Sequence, residues 1–263
     1  MVYSFMKKLL LTLMGTFIAV CSVLGENDLN SLPVKVVLFP IREATLSTMI
    51  DGVISQYNFR AGERFKKKAV LLKLDDRKYK NELDRAQSQI RECTLNVEFT
   101  KQKLQDNERL FKNDLQSEIE VVRSRFDHNV ALERLQAARV SKNDAALHLL
   151  FCQIHAPFDG VVEKLLTREY EMVRSGQPVL SIMDDNELLA VMNLPSKRLP
   201  GIRPGQEITI RITENGKSVT GKVYEIASRA DHRSETFEVK IRIDNRKHIF
   251  KPGMSGVLVK IGE

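Results

Sequence analysis

The sequence has no tryptophan, only 6 % aromatic residues and three cysteines in 263 residues. Three cysteines exclude a disulfide-built scaffold and a thiolate zinc cluster. Charge of one sign is also scarce. Lys+Arg number 41 against 34 Asp+Glu, a formal net charge of +7, and no basic run is dense enough for a nucleic-acid arm, so no nucleic-acid partner is expected. The five histidines (His128, His148, His155, His232, His248) stand at no ligand spacing, and no Ser/His/Asp grouping, phosphate loop or motif-borne carboxylate pair occurs. That pattern points away from an enzyme, a metal or a cofactor. With 43 % hydrophobic residues, the chain is a folded one of one large domain or two to four small ones.

The most telling absence is local. None of the 13 glycines or 8 prolines falls within residues 63–156, which predicts long uninterrupted helix. Leu83, Ile90, Val97, Leu104 and Phe111 recur every seven residues, with Ala86, Cys93, Thr100 and Asn107 as a companion seam. A second phase runs through Ile119, Phe126, Val140 and Leu147, with Glu133 as the odd member. Repeats of this kind predict coiled-coil packing through both phases. Lys112–Ser117 breaks the pattern, with Asn113 and Asp114 as turn formers and Ser117 with Glu120 as a capping box. Two helices of about 35 residues, each ~52 Å long, are therefore expected to fold back as an antiparallel hairpin. Cys93 and Cys152 fall ~16 residues, or ~24 Å, apart along it, so both thiols should be free.

The hairpin interrupts a repeat. Asp51-Gly-Val-Ile54 matches Asp159-Gly-Val-Val162 at an offset of 108, and the same offset pairs Phe65 with Val173, Leu71-Leu72 with Val179-Leu180, Leu74 with Ile182 and Asp76 with Asp184. Both halves read as short strands, so they should pack as one pseudo-symmetric β unit. Beyond residue 186 the period becomes two: Ile208, Ile210, Ile212; Phe237, Val239, Ile241, Ile243; Val257, Val259, Ile261. Glu214-Asn-Gly-Lys217 predicts a two-residue hairpin turn, and strands of this number close most easily into a small barrel, to which Val34–Phe39 adds one more. Met49, Met172, Met183, Met192 and Met254 could suit Cu(I), but their scatter through strand-like runs reads as core packing.

At the N-terminus, Lys7 and Lys8 precede an apolar run, Leu9–Val20, and a small-residue site at Val23-Leu24-Gly25. This is read as a secretory signal, residues 1–25, cleaved after Gly25. Two alternatives stay open: an uncleaved anchor, though Leu9–Leu24 gives roughly 24 Å of helix against a ~30 Å hydrocarbon core, and lipidation at Cys21. Each places the body outside the cytoplasm.

This layout resembles the periplasmic adaptor, or membrane fusion protein, family of tripartite efflux pumps and type I secretion systems (HlyD-like). The residues carrying the resemblance are Ile50–Ile54 with Gly62, Val70–Asp76, Ala156-Pro157-Phe158-Asp159-Gly160-Val161-Val162, Gly176–Leu180 and Lys251-Pro252-Gly253-Met254. It implies an elongated multidomain α+β fold: a lipoyl-like β domain in two halves (44–76 and 153–186), a coiled-coil α-hairpin (77–152), and a small antiparallel β-barrel (34–43 and 187–263). The turns defining it would be Gly52, Gly62, Pro157, Asp159, Gly160, Gly176, Pro252 and Gly253. It also implies an adaptor without enzymatic activity, in the periplasm at the inner membrane. Its partners would be an inner-membrane transporter of RND or ABC type, an outer-membrane channel of the TolC type, and further copies of itself in a hexamer.

Two departures stand out. Family members usually carry a fourth, membrane-proximal domain from both termini, which this sequence is expected to lack. Many pump adaptors engage the channel through an Arg, a Leu and a Ser at the hairpin tip; matching Leu110 and Ser117 to the last two puts Asp106 at the first, with Arg109 three residues on. Leu110, Asn113, Leu115 and Ser117 are the expected partner-binding residues, Leu115 foremost, while Phe111 fits the seam and is expected in the hairpin core. Rival readings are an accessory envelope scaffold and a lipoyl or biotinyl carrier. The carrier lacks its lysine, since neither Lys73 nor Lys78 stands in a tight turn between short strands.

Overall fold

A computed structural model describes residues 34–262. The expected signal segment and Cys21 lie outside the described residues. The chain divides into two compact units, one taking it to Pro40 and again from Asn186 onward, the other Ile41–Asp185. β1 (Lys35–Ser47) and β8 (Pro178–Pro195) run through both.

In the first unit, β9 (Glu207–Ile212), β10 (Ser218–Ile226), β11 (Thr236–Asp244) and β12 (Ser255–Ile261) join β1 and β8 in the order β1-β12-β9-β10-β11-β8, and β1 also pairs with β8. Six strands thus close on themselves, which leaves no free sheet edge. Alternation fills the interior: Leu188, Ala190, Met192 and Leu194 from β8, Ile208, Ile210 and Ile212 from β9, and Val239, Ile241 and Ile243 from β11 are all buried. Two details correct the period-two reading. On β12 the inward positions before the bulge are Gly256 and Leu258; the bulge after Leu258 leaves Val259 exposed and brings Ile261 back to the core. The β9–β10 link is also longer than two residues, since Gly216 N–H bonds the Ile212 carbonyl at 3.0 Å and the Ile212 N–H bonds Lys217 at 2.9 Å.

The second unit contains the repeat. β2 (Gly52–Tyr57), β3 (Arg64–Phe65) and β4 (Val70–Leu74) recur 108 residues later as β6 (Gly160–Leu165), β7 (Met172–Val173) and the start of β8. The hydrogen bonds repeat too. Ile54 N–H bonds Glu171 as Val162 N–H bonds Glu63, at 3.0 Å in both, and Lys67 N–H bonds Asp159 as Ser175 N–H bonds Asp51, at 2.6 and 2.8 Å. Left-handed backbone recurs at Gly62 (φ 86°) and Tyr170 (φ 66°), and at Lys68 (φ 69°) and Gly176 (φ 83°). Glycine relieves one partner of each pair, and a side chain bears the strain at the other. The two halves bury one core, Ile54, Phe65, Leu72 and Leu74 against Val162, Val173, Leu180 and Ile182.

From β4 the chain enters α1 (Arg77–Lys112), turns, and returns along α2 (Glu118–Phe151) to β5 (Gln153–His155), which pairs with β4. Asp75 opens α1 by accepting the Arg77 backbone N–H at 3.1 Å and its guanidinium at 2.6 Å, and that hydrogen-bonded charge holds the Asp75 carboxyl down at about 2. The helices run antiparallel: Lys103 meets Asp127 (3.8 Å), Thr100 meets His128 (3.2 Å) and Arg125 meets Glu108 (2.9 Å). α1 buries Tyr79, Ala86, Cys93, Thr100 and Asn107, every seventh residue. α2 buries Val121, Ser124, Ala131, Leu135, Ala138 and Ala145. This corrects the second phase. Ile119, Phe126, Val140 and Leu147 are 76 %, 66 %, 50 % and 47 % exposed, because the small residues two positions before each of the last three (Ser124, Ala138, Ala145) let α2 approach α1 on the opposite face.

Candidate functional site

The turn between the helices is built by its own backbone. Asp114 takes the left-handed conformation (φ 57°), its N–H bonds the Phe111 carbonyl at 3.0 Å, and the Leu115 N–H bonds Leu110 at 2.9 Å. This is the paired 5→2 and 6→1 closure that usually employs glycine. Asn113 lends its side-chain amide to the Arg109 carbonyl at 3.2 Å. Ser117 Oγ then accepts the Glu120 N–H at 3.4 Å and starts α2 with Glu118 and Glu120 in its first turn.

What this turn presents is apolar. Leu115 is 70 % exposed, Leu110, Phe111, Ile119 and Val122 are exposed beside it, and the ion pairs Arg109–Asp106 and Arg125–Glu108 flank them. Leu110, Asn113, Leu115 and Ser117 therefore gather at one end of the helix pair. Phe111 corrects the expectation that it packs in the core: it lies one residue before the helix ends, where α2 has not yet begun to cover it. An exposed apolar cluster of this kind has water as its worst neighbour and protein as its best.

The fold-defining turns lie elsewhere in the chain. Gly62, Gly176 and Gly253 carry φ of 86°, 83° and 89°. Gly52 and Gly160 instead open β2 and β6, and Pro157 and Asp159 lead into the latter. Asp159 binds the Lys67 N–H, which holds its carboxyl below the usual range. Pro252 and Gly253 precede β12, where Gly253 N–H bonds Leu38 at 2.7 Å. Sequence reasoning missed the buried carboxylates after the second repeat. Asp184 accepts from Arg42, and Asp185 takes Arg64 through two bonds of 2.9 and 2.6 Å; the adjacent acids were visible, but their distant partners were not. Of the methionines, Met192 is buried as expected, whereas Met49 and Met172 are 65 % and 68 % exposed on the second unit, which corrects the core reading for those two. Lys73 lies within β4 and Lys78 in the first turn of α1. Cys93 and Cys152 are buried free thiols, and burial beside Asp76 and Asp75 pushes Cys152 up to about 11. Among the described residues no cluster of His, Cys, Asp and Glu could hold a metal ion, and no helix is long and apolar enough to cross a membrane.

A β sandwich split by a helix pair and accompanied by a small β-barrel defines the architecture of adaptor proteins of efflux systems. The chain belongs to the membrane fusion protein family: residues 42–185 match the family described as RND MFP, barrel-sandwich hybrid domain, and residues 190–260 the CusB-like, beta-barrel domain. Among known proteins it is 22 % identical over 236 residues to the nodulation protein NolF of Rhizobium meliloti (strain 1021), covering 89 % of this chain and 64 % of NolF, so the chain spans less than two thirds of that relative's length. Its fold matches the crystal structure of MacA from Actinobacillus actinomycetemcomitans (TM-score 0.74, 16 % identity, 88 % of this chain and 79 % of that one). It also matches the membrane fusion protein Spr0693 from Streptococcus pneumoniae R6 (TM-score 0.72, 15 % identity, 89 % and 99 %).

Proposed function

We propose that this chain is a periplasmic adaptor that links an inner-membrane transporter to an outer-membrane channel for efflux or secretion, without catalysis of its own. The observation that carries the reading is the helix pair: 36 and 34 residues inserted between two halves of one β unit, ending in an exposed apolar turn. The buried residues of α1 at seven-residue spacing support reading the pair as a coiled-coil hairpin of about 50 Å. Leu115, with Leu110, Asn113 and Ser117 around it, docks on the channel. The β-barrel meets the transporter, and the match of residues 42–185 to the barrel-sandwich hybrid domain of RND membrane fusion proteins supports a transporter of that class. Copies assemble as a ring, so that hairpins enclose a conduit whose length their heptads set.

The test is crosslinking in intact cell envelopes from Leu115→Cys at the tip and Asn215→Cys in the barrel, read by mass spectrometry. An outer-membrane channel captured from position 115 and a transporter from 215 is the expected result. Links only to the same chain, or only to a second adaptor-like chain, would replace this reading with an accessory scaffold.

A further inference from the structure

The barrel treats its outward cations in two ways. On β11 they are neutralised: Lys240 meets Glu225 at 3.2 Å and Glu238 at 3.5 Å, and Arg242 meets Glu187. On the wall formed by β1, β12 and β9 they are not. Lys35, Lys260 and Arg211 are exposed, and among the described residues no ion pair joins any of them to an acid.

Register brings these three together from distant parts of the sequence. Lys35 pairs with Val257, Val257 with Arg211, and Lys260 with Thr209. They alternate with the buried Val36, Ile208, Ile210 and Ile212, so their side chains point outward. By strand spacing Arg211 stands ~10 Å from Lys35, and each of the two stands about 8 Å from Lys260. Exposed Val259 lies beside Lys260 on the same strand. Two acids border the wall. Glu207 faces Lys222 across β9 and β10, which cancels charge there. Glu214 is turned to Ser255, accepting its N–H at 2.8 Å and its hydroxyl at 3.0 Å.

Three like charges so close repel one another and gain from an extended field of anions, which their long stems can reach. The sequence places a bilayer near them. β1 begins at Lys35, so the chain enters the barrel on this wall. The 15 positions from Val20, where the apolar run ends, to Lys35 span at most ~54 Å. An uncleaved anchor or a lipid on Cys21 would hold the wall within that reach of a membrane. After cleavage at Gly25, the charge itself would be the attraction.

We infer that the β1–β12–β9 wall of the barrel docks on the anionic headgroups of a phospholipid bilayer through Lys35, Arg211 and Lys260. Each basic group near such a surface strengthens binding severalfold, and salt weakens it. β11 and its neighbours are left for the transporter. The adaptor reading supplies only which bilayer is met, the inner membrane; the surface is argued from the barrel alone.

The experiment sediments the full chain, purified from envelopes, with vesicles of phosphatidylcholine alone or of equal parts phosphatidylcholine and phosphatidylglycerol. Any anchor contributes to both, so their difference reads the charged wall. Binding to the anionic vesicles should be at least ~tenfold tighter, and added salt should erase the preference. The variant Lys35→Glu, Arg211→Glu, Lys260→Glu should lose it, with its thermal melting unchanged because all three side chains are exposed. The same charge change on the helix pair, Lys101→Glu, Arg134→Glu, Arg139→Glu, should keep it. Equal binding of the unaltered chain to both vesicles, or a preference that survives in the wall variant, overturns the inference and leaves an acidic protein as the occupant. An equal loss in the helix variant overturns it too, as a response to net charge alone. If positions 115 and 215 capture channel and transporter while lipid charge makes no difference, only this inference fails. If the vesicles are discriminated but no envelope partner is found, the wall stands and the adaptor reading falls.

Discussion

The β-barrel and the helix pair solve the burial problem in opposite ways. The barrel holds ten strand side chains wholly or almost wholly buried in β8, β9 and β11 alone, nearly all of them branched or long aliphatics. The helix pair, with 70 residues, buries mostly alanine, serine, threonine, asparagine and one cysteine, and its only compact cluster is Cys93, Leu135 and Ala138 with Ile90 and Val97 against it. Meanwhile Phe99, Leu115, Ile119 and Phe126 stay in water. The barrel is finished by its own residues. The helix pair has more apolar surface to offer outward than inward, which is what a segment completed by partners would have.

The largest expected effect tests the first half of that comparison. Ile210 is fully buried between β9's neighbours, so Ile210→Ala should destabilise the barrel by about 2–5 kcal/mol, the cost of lost transfer energy and the cavity left behind. Denaturant melting measures it. A loss below about 1 kcal/mol would mean that the barrel collapses around the gap and is not the rigid member of the pair.

A smaller effect separates the two halves of the repeat. At Gly160 a Cβ would sit 2.3 Å from the Met183 carbonyl oxygen, so β6 and β8 would have to part; at its counterpart Gly52 the nearest atom is the end of Leu74, at 3.4 Å. Gly160→Ala should cost about 1–3 kcal/mol as an overpacking strain, and Gly52→Ala markedly less. Equal costs would show that the halves are interchangeable, against the tighter strand crossing at Gly160.

These contrasts also show what was legible in the sequence. The 108-residue repeat could be read at once, because β2, β3 and β4 recur in order and every insertion falls at the helices. The helix pair was equally plain from the missing glycine and proline. Its inner face was not. Sequence patterning assigns the largest apolar residues to the seam, whereas α2 packs through alanines and leaves Phe126 outside, since close helix approach rewards small side chains that a hydrophobicity count ignores. On β12 the inward residues before the bulge are Gly256 and Leu258 instead of Val257 and Val259, and the bulge after Leu258 returns the strand to the expected Ile261, a change of phase that alternation alone does not reveal. The exposure of Leu115 was legible because a turn has nothing to bury against; the Arg64–Asp185 pair was not, because partners 121 positions apart leave no local trace.

Smaller again is a pH effect at the base of the helix pair. Burial, helped by Asp76 and Asp75, lifts the Cys152 thiol from its ordinary 9.0 to about 11. Above pH 9 the unfolded chain releases that proton while the folded chain keeps it, so stability falls as pH rises from 9 toward 11. Cys152→Ala should remove this part of the alkaline slope, and the native thiol should resist iodoacetamide at pH 8 until the protein unfolds. Rapid labelling of the folded protein at pH 8 would contradict the burial.

The smallest expected effect is the most informative for the comparison. Phe126→Gln replaces a large aromatic, which in a coiled-coil seam would cost several kcal/mol. Here the ring is 66 % exposed and backed by Ser124 on the buried side, so the isolated chain should change by no more than about 0.5 kcal/mol. The same substitution should weaken association between copies, because a ring of the proposed kind would cover the exposed apolar line of α2 on which Phe126 stands. Sedimentation across a concentration series reads the second quantity and thermal melting at low concentration the first. A stability loss of 2 kcal/mol or more in the monomer would place Phe126 in the seam after all. A change in neither quantity would leave the outer line of α2 without a role in self-association.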